Sequence, residues 1–427
     1  MALHRKQALN GSKALNNCKQ VRAKKTLWKA WRHVFRSSLT SASKVNREAA
    51  WEFDAQAASR IDRIQRQLRE SRFRFAPSRG IPKKRKGKSP RPIVDAPLGN
   101  KIVQRAILSV AQEIPKVKVA IKNPASFGAL EGRSVKHAME AIVDAIDKGA
   151  TFYVRSDIQN FFSNIPKLEV ELALSQLIND SAFVSLIMQA LEVELDNLQE
   201  LGAHKEFFPL HEIGIAQGCC LSPFIGNVLL REFDRRMNGR GIACFRYVDD
   251  FVILGPNQRS LRKAFIKAKD ALQNLGLSAY DPYADNDKAK AGSVTSGFEF
   301  LGCSIRPGMI SPSKAAKLSI LAKVRDIRNR CERAMSSPDI DSAYKDGFSH
   351  SLSRISNTLR GWGNQYSFCN DGVAIQQLDE KVNDEIDKLL RVFNKRCRSA
   401  SNNNDYNSVR RILGVHLLVD CNRAPIV

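Results

Sequence analysis

Three carboxylates in this chain could do chemistry together. Asp249 and Asp250 stand side by side in Phe245-Arg246-Tyr247-Val248-Asp249-Asp250-Phe251-Val252-Ile253-Leu254, and Asp157 ends the run Thr151-Phe152-Tyr153-Val154-Arg155-Ser156-Asp157. Clustered carboxylates repel one another and favour a bound divalent cation. Two such cations can activate a hydroxyl nucleophile and stabilise a leaving pyrophosphate. The chemistry at stake is therefore nucleotidyl transfer, if the fold brings the three together. Taken singly, each position reads equally well as an Asp in a turn or at a helix cap.

The flanking residues say how that could happen. The aromatic and β-branched runs on either side of Asp249-Asp250 predict two strands with both aspartates at the turn between them. The 151–157 run predicts a further strand, followed by the aromatic pair Phe161-Phe162. If the strands share a sheet, the carboxylates converge. Gly214-Ile215-Ala216-Gln217-Gly218-Cys219-Cys220-Leu221-Ser222-Pro223 reads as a loop opening a helix, with Ser222 as N-cap and Pro223 in the first turn. Helices are expected at Leu27–Phe35, Ala49–Glu70, Asn100–Glu113, Ser134–Lys148, Ser260–Leu275, Ser342–Phe368 and Leu378–Arg398. Gly297 to Ile305 predicts a second hairpin. Ile81 to Val94 predicts a hairpin whose tip carries Lys83, Lys84, Arg85, Lys86 and Lys88, with an extended arm from Arg91. Such a tip could clamp a triphosphate or a phosphate backbone, or simply be a solvated basic loop.

Composition narrows the partners. The 427 residues are 43% hydrophobic, enough for two or three folded domains. The formal net charge is +25, and residues 1–100 hold 25 Lys and Arg against 6 Asp and Glu, so most of the excess lies in the first quarter. So one-sided a balance points to a polyanionic partner, with a merely basic, solvated surface as the alternative. Residues 1–25 read as a basic mobile arm. The nine cysteines show no Cys-x-x-Cys and no zinc spacing, so they read as free thiols of a reducing cytoplasm. Neither a secretory leader nor an apolar run long enough to span a membrane is evident.

The order of motifs resembles a reverse transcriptase of the bacterial, group II intron-like lineage. The match runs through Arg91-Pro92-Ile93, Gln104-Arg105-Ala106-Ile107, Ser126-Phe127-Gly128, Gly132-Arg133-Ser134, Asp157 to Phe162, Gln217-Gly218 with Leu221-Ser222-Pro223 and Asn227, Tyr247 to Asp250, Lys288, and Phe300-Leu301-Gly302. The resemblance implies an α+β right-hand polymerase with fingers, a palm built on an antiparallel sheet, and a helical thumb. It implies Asp157, Asp249 and Asp250 as ligands of two Mg2+ ions, or Mn2+, and Phe162 as an aromatic gate against a ribose 2′-hydroxyl. Lys83 and Arg91 would bind the incoming triphosphate, other lysines of the tip competing with Lys83. Gln217 and Gly218 would contact the templating pair, and Lys288, with Lys290 as rival, would protonate pyrophosphate. Phe300, Leu301 and Gly302 would grip the primer. Trp362, in Arg360-Gly361-Trp362-Gly363-Asn364-Gln365-Tyr366, resembles a maturase-type thumb residue contacting template and primer; a buried aromatic pair is the alternative.

On that basis the chain divides into a basic extension (1–48), fingers (49–150), palm (151–308, with fingers-side helices 167–212) and a helical, RNA-binding thumb (309–427). The implied partners are an RNA template, the DNA product and dNTPs, in the cytoplasm, without a membrane and with homo-oligomers allowed. The thumb is not followed by a Cys/His-rich endonuclease segment, the Val-Thr-Gly of retron enzymes is missing from the thumb region, Ala216 precedes Gln217 where diversity-generating enzymes tend to have Ser, and Val248 replaces the Ala usual in intron enzymes. These departures point to a stand-alone, defence-associated enzyme copying a dedicated non-coding RNA. A group II intron maturase, a retron-like enzyme and an RNA-directed RNA polymerase are the competing readings; Phe162 argues against the last.

Overall fold

The computed structural model describes residues 17–85, 87–239, 241–284, 287–337 and 339–420 and separates into two units, Met1–Gly292 and Ser293–Val427. Its strands in chain order are β1 (Arg79–Arg85), β2 (Lys88–Asp95), β3 (Phe152–Asp157), β4 (Ala243–Tyr247), β5 (Asp250–Gly255), β6 (Lys290–Ser293), β7 (Phe298–Phe300), β8 (Cys303–Arg306) and β9 (Met309–Pro312). In the first unit β1 pairs with β2, and a four-stranded sheet has the order β4-β5-β3-β6. The β7-β8-β9 sheet belongs to the second unit, so the expected division between palm (to 308) and thumb (from 309) lies inside that unit. The architecture is the α+β one expected, a mixture of helices and antiparallel sheet.

β5 is the centre of the first unit. Phe251, Val252, Ile253 and Leu254 are all fully buried, which is why this strand shows an unbroken apolar run instead of alternation: both faces are covered. Helices Val135–Asp147 and Gln258–Gln273 pack on this sheet. The second of these buries Leu261, Phe265, Ala268 and Leu272 along one stripe. It starts two residues earlier than expected because the Asn257 side chain accepts the Ser260 N–H and caps it.

Several expected boundaries shift for identifiable reasons. The helix expected over Ala49–Glu70 is two helices, Lys44–Asp54 and Ala57–Arg69, separated at Ala55–Gln56. Trp31 is buried against Phe53 and donates its indole N–H to Asp54 at 3.1 Å, tying the end of the first of these to the helix Lys24–Leu39. The basic arm does not extend to residue 25: Asn17–Val21 is helical, and the Asn17 backbone and side-chain amides both donate to Asp180. Residues 1–16 lie outside the described residues. Ser222 is not the N-cap of its helix; it is the first helical residue, and its hydroxyl donates to the Ala216 carbonyl at 2.6 Å. That helix ends at Leu229, and a second runs from Arg231 to Arg236.

The basic hairpin forms, with its extended arm starting at Lys88 rather than Arg91 and with Lys83 directly opposite Arg91. Lys86, at its tip, is outside the described residues. The hairpin is held from beneath by Asn197, whose Oδ1 accepts the Gly80 N–H at 2.8 Å and whose Nδ2 donates to the Gly80 carbonyl at 2.9 Å, both buried.

In the second unit, helices Lys314–Ala334, Phe348–Gln365 and Gly372–Asn402 close around Val324, Ile327, Cys331, Phe348, Ile355 and Leu389. Ser342–Phe368 is not one helix: Ile340–Lys345 stops and Phe348–Gln365 starts anew. A Cβ on Gly347 would stand 2.5 Å from the Ala343 carbonyl oxygen, so the break passes through a point only glycine fits. The eight described cysteines are free thiols. No helix among the described residues is long and apolar enough to cross a membrane.

The Asn197 contacts give a direct expectation for the hairpin. Asn197→Ala would leave the Gly80 N–H and C=O buried without partners, at about 1–3 kcal/mol. Hydrogen exchange should then accelerate over 79–95 more than in the central sheet; uniform acceleration, or none, would mean the side chain does not hold the hairpin.

Candidate active site

The register of the central sheet decides which carboxylates meet. β3 and β5 are antiparallel with Asp157 directly opposite Asp250, and β4 and β5 are antiparallel with Tyr247 opposite Asp250. Residues directly opposite in such a pair project to the same face. Asp157 and Asp250 are therefore neighbours across the strands. The expectation that Asp249 and Asp250 both occupy the turn is corrected: the two-residue loop is Val248-Asp249, and Asp250 opens β5. The Asp249 carbonyl accepts the Ile158 N–H at 3.1 Å, which draws the turn onto the end of β3.

Val248 adopts φ +63°. Two-residue hairpin loops need such a conformation, but it is costly for a β-branched residue. The turn is closely supported. A Cβ on Gly128 would lie 2.5 Å from the Val248 nitrogen, so the 125–128 segment reaches the turn only because residue 128 is glycine.

Charge is concentrated at this point. Asp157 is buried, its Oδ1 has no hydrogen-bond partner, and its Oδ2 accepts from the Lys288 ammonium. Burial, then the charges of Asp157 and Asp249, push Asp250 up to about 7. Burial and Asp157 also raise Asp249, against the opposing pull of Lys288 and Arg91. Partial burial lowers Lys288, but its hydrogen bond to Asp157 and the nearby carboxylates outweigh this and leave it raised. The donor set suits a hard divalent cation: carboxylates, a buried acceptor oxygen without a partner, and like charges in need of neutralisation. Among the described residues no three acidic, Cys or His side chains close into a ready-made cage. Asp157, Asp249 and Asp250 are the residues that could hold such an ion.

The other expected site residues fall as follows. Arg91 is close enough to Asp249 to act on its charge, and Lys83 lies opposite Arg91 on an exposed stretch of β1. Phe161 is 2% exposed and packed in the core, whereas Phe162, with ring centroids 5.2 Å away, is only partly buried. Gln217 accepts the Val94 N–H through its carbonyl at 2.8 Å, joining its loop to β2. Gly218 has φ +113°, and a Cβ there would stand 2.9 Å from the Val94 carbonyl oxygen. Of the two rival lysines, Lys288 is the one on Asp157; Lys290 is exposed in β6.

In the second unit Leu301 and Gly302 form the two-residue loop between β7 and β8, with φ +49° and +78°. Phe300 is buried beside it. A Cβ on Gly302 would meet the Tyr366 hydroxyl at 2.9 Å. Trp362 is partly buried, stacked at a tilt 4.7 Å from Tyr366.

The residues that sequence reasoning passed over are Arg246 and Asp234. Arg246 is 1% exposed, forms a bidentate ion pair with the equally buried Asp234, and donates to the Val248 carbonyl at 2.7 Å. The signal was present: an arginine at an inward position of an apolar strand requires a buried counter-charge.

Residues 81–305 match the reverse transcriptase (RNA-dependent DNA polymerase) family, and the chain belongs to it. The chain is 29% identical over 181 residues to an uncharacterized 91 kDa protein in the cob intron of Schizosaccharomyces pombe, covering 42% of this chain and 21% of that protein. It is 22% identical over 285 residues to protein YkfC of Escherichia coli K12, covering 58% of this chain and 71% of YkfC. Among solved structures, apo telomerase from Candida tropicalis aligns with a TM-score of 0.45 at 12% identity over 75% of this chain and 64% of that one. A partial Cas6-RT-Cas1–Cas2 complex aligns with a TM-score of 0.35 at 19% identity over 61% of this chain and 43% of that one.

The raised pKa of Asp250 has a definite stability consequence. A carboxyl whose folded-state pKa lies above its unfolded value costs nothing below the unfolded value; the cost grows as pH rises between the two and is complete above the folded one. In metal-free buffer at pH 8, Asp250→Asn should raise the unfolding free energy by about 1 kcal/mol. The gain should vanish near pH 4; a gain that persists there would mean that charge is not its cause.

Proposed function

We propose that this protein is an RNA-directed DNA polymerase, and that Asp157, Asp249 and Asp250 form its metal-binding centre. The observation that carries the reading is the placement of Asp157 opposite Asp250 across β3 and β5, with Asp249 next to them on the turn, in a chain of the reverse transcriptase family. Mg2+ or Mn2+ held there would supply activation of a primer 3′-hydroxyl and neutralisation of the departing pyrophosphate. Lys288, held protonated beside Asp157, is suited to give a proton to a pyrophosphate oxygen. Arg91, and Lys83 across the hairpin from it, offer cations for the triphosphate. Phe162, only partly buried where Phe161 is fully buried, would lie under the sugar and exclude a 2′-hydroxyl. Gln217 and Gly218 would bear on the templating base, and Gly218 brings bare backbone to that point. In the second unit, the Phe300-Leu301-Gly302 turn and Trp362 would hold primer and template.

The narrower form of this reading is a cytoplasmic, stand-alone enzyme that copies a dedicated non-coding RNA in antiphage defence. Its support is the set of departures from intron, retron and diversity-generating enzymes at Val248, at Ala216 and in the thumb region. The cob-intron relative favours a second reading, an RNA-binding protein whose duty is to an intron.

Asp249→Ala separates the two. On the polymerase reading it abolishes DNA synthesis and leaves RNA bound; on the intron-binding reading it leaves function intact. Phe162→Ala should admit NTPs at the expense of dNTP selectivity, by about 10–100-fold in the ratio of kcat/KM. Sequencing the nucleic acid that copurifies from cells carrying the native locus, beside an Asp249→Ala control, tests the template. DNA complementary to one abundant RNA, found only with the wild type, is the expected result; a mixture of unrelated cellular sequences would remove the dedicated template.

A further inference from the structure

We propose that Arg246 is a positioning residue of the metal-binding turn: it fixes Val248 in its left-handed conformation and thereby sets where Asp249 and Asp250 stand. The inference rests on the polymerase reading for the purpose of the carboxylates, though the geometry is independent of it.

Every nitrogen of the Arg246 guanidinium is engaged. Nε and Nη2 donate to the two oxygens of Asp234 at 2.7 and 2.6 Å, Nη2 also to the Ser126 hydroxyl at 2.9 Å, and Nη1 to the Val248 carbonyl at 2.7 Å. Arg246 and Asp234 are 1% and 3% exposed. A buried ion pair of this kind is a poor device for stability alone, since desolvation offsets most of the attraction and well-packed apolar residues do as well. An apolar pair, however, cannot hold a carbonyl. The bidentate anchor on Asp234 fixes the plane of the guanidinium, so Nη1 points in one direction only.

The backbone of the same residue completes the support. Arg246 donates its N–H to the Ala125 carbonyl at 2.8 Å and accepts the Phe127 N–H at 2.9 Å. These bonds bring Gly128 against the Val248 nitrogen. Asn227 then holds the Gly128 carbonyl at 3.0 Å. Val248 is thus gripped at its nitrogen side by Gly128 and at its carbonyl by Arg246. Released at the carbonyl, a β-branched residue would move toward the β region, turning the Val248–Asp249 peptide and carrying both carboxylates away from Asp157.

The test uses the full-length chain, with Mn2+ as the probe read by electron paramagnetic resonance, and primer extension with Mg2+ as a second readout. Arg246→Met combined with Asp234→Leu removes both buried charges together, so that neither is left unpaired. Its Mn2+ dissociation constant should rise about tenfold, and kcat should fall about 100-fold, with the dNTP KM changed far less. Arg246→Lys keeps a charge beside Asp234, but one ammonium cannot replace the fork on both partners; it should show the same defects in smaller measure, and it decides the matter if the double variant does not fold. Ile61→Ala, in the buried face of an N-terminal helix, should lower Tm without changing Mn2+ affinity. Wild-type Mn2+ affinity in whichever Arg246 variant folds would overturn the proposal, as would a wild type that binds no Mn2+. Weakened Mn2+ binding in the Arg246 variants, with no DNA made even by the wild type, would support Arg246 as positioning while removing the polymerase reading.

Discussion

The first unit is arranged around a repulsion. Asp157 and Asp250 face one another across an antiparallel strand pair, the position at which like charges destabilise a sheet most. A third carboxylate sits one residue away, and one oxygen of Asp157 is buried without a partner. The remedies present are cationic: Lys288 on Asp157 and Arg91 near Asp249. Neither removes the cost, because burial and mutual charge still raise both Asp249 and Asp250. A sheet built for stability alone would not carry this arrangement, and the cost is in keeping with the metal-binding role proposed for these carboxylates.

The rest of the unit reads as the means of holding that repulsion in place. β5 is buried on both faces along Phe251 to Leu254, so the strand that begins with Asp250 cannot slip without exposing four large residues. β3 is fixed to it residue by residue from Phe152 to Asp157. Tyr280 donates its N–H to the Asp157 carbonyl, and Ser156 donates its hydroxyl to the Tyr280 carbonyl, which pins the residue chain that leads on to Lys288. Electrostatic strain at the site is thus balanced by apolar burial a few residues away.

Local chemistry was legible in the sequence and register was not. The strands at 152–157 and 243–255 and the basic hairpin follow from residue type and period. Whether Asp249 or Asp250 faces Asp157 depends on a loop of two residues beginning at Val248, and the alternation of hydrophobic residues around it does not announce where pairing resumes. Ser222 looked like a cap because its neighbours matched a helix start; its hydroxyl instead satisfies the Ala216 carbonyl, a contact that only the folded loop creates. Arg246 was the missed clue, since its partner Asp234 lies on a helix whose docking no local pattern specifies. The division of the second unit's helices at Asp346–Gly347 likewise depends on the approach of Gly414 to within 2.5 Å of where a Gly347 Cβ would stand.

Among the described residues, two hairpin loops carry a bulky residue in the left-handed region, Val248 between β4 and β5 and Leu301 between β7 and β8. Asn or Gly would fit either loop with less strain. In both, another residue comes close where a glycine leaves room: the Val248 nitrogen against Gly128, and the Tyr366 hydroxyl against Gly302. Strain of about 1–3 kcal/mol per site persists only where the surroundings over-determine the backbone. A β-branched side chain makes the demand greater at Val248 than at Leu301, and the support is correspondingly heavier there, with a buried arginine on the carbonyl. Both loops belong to the segments proposed to meet the primer and the metals, so backbone strain in this chain coincides with its proposed points of contact.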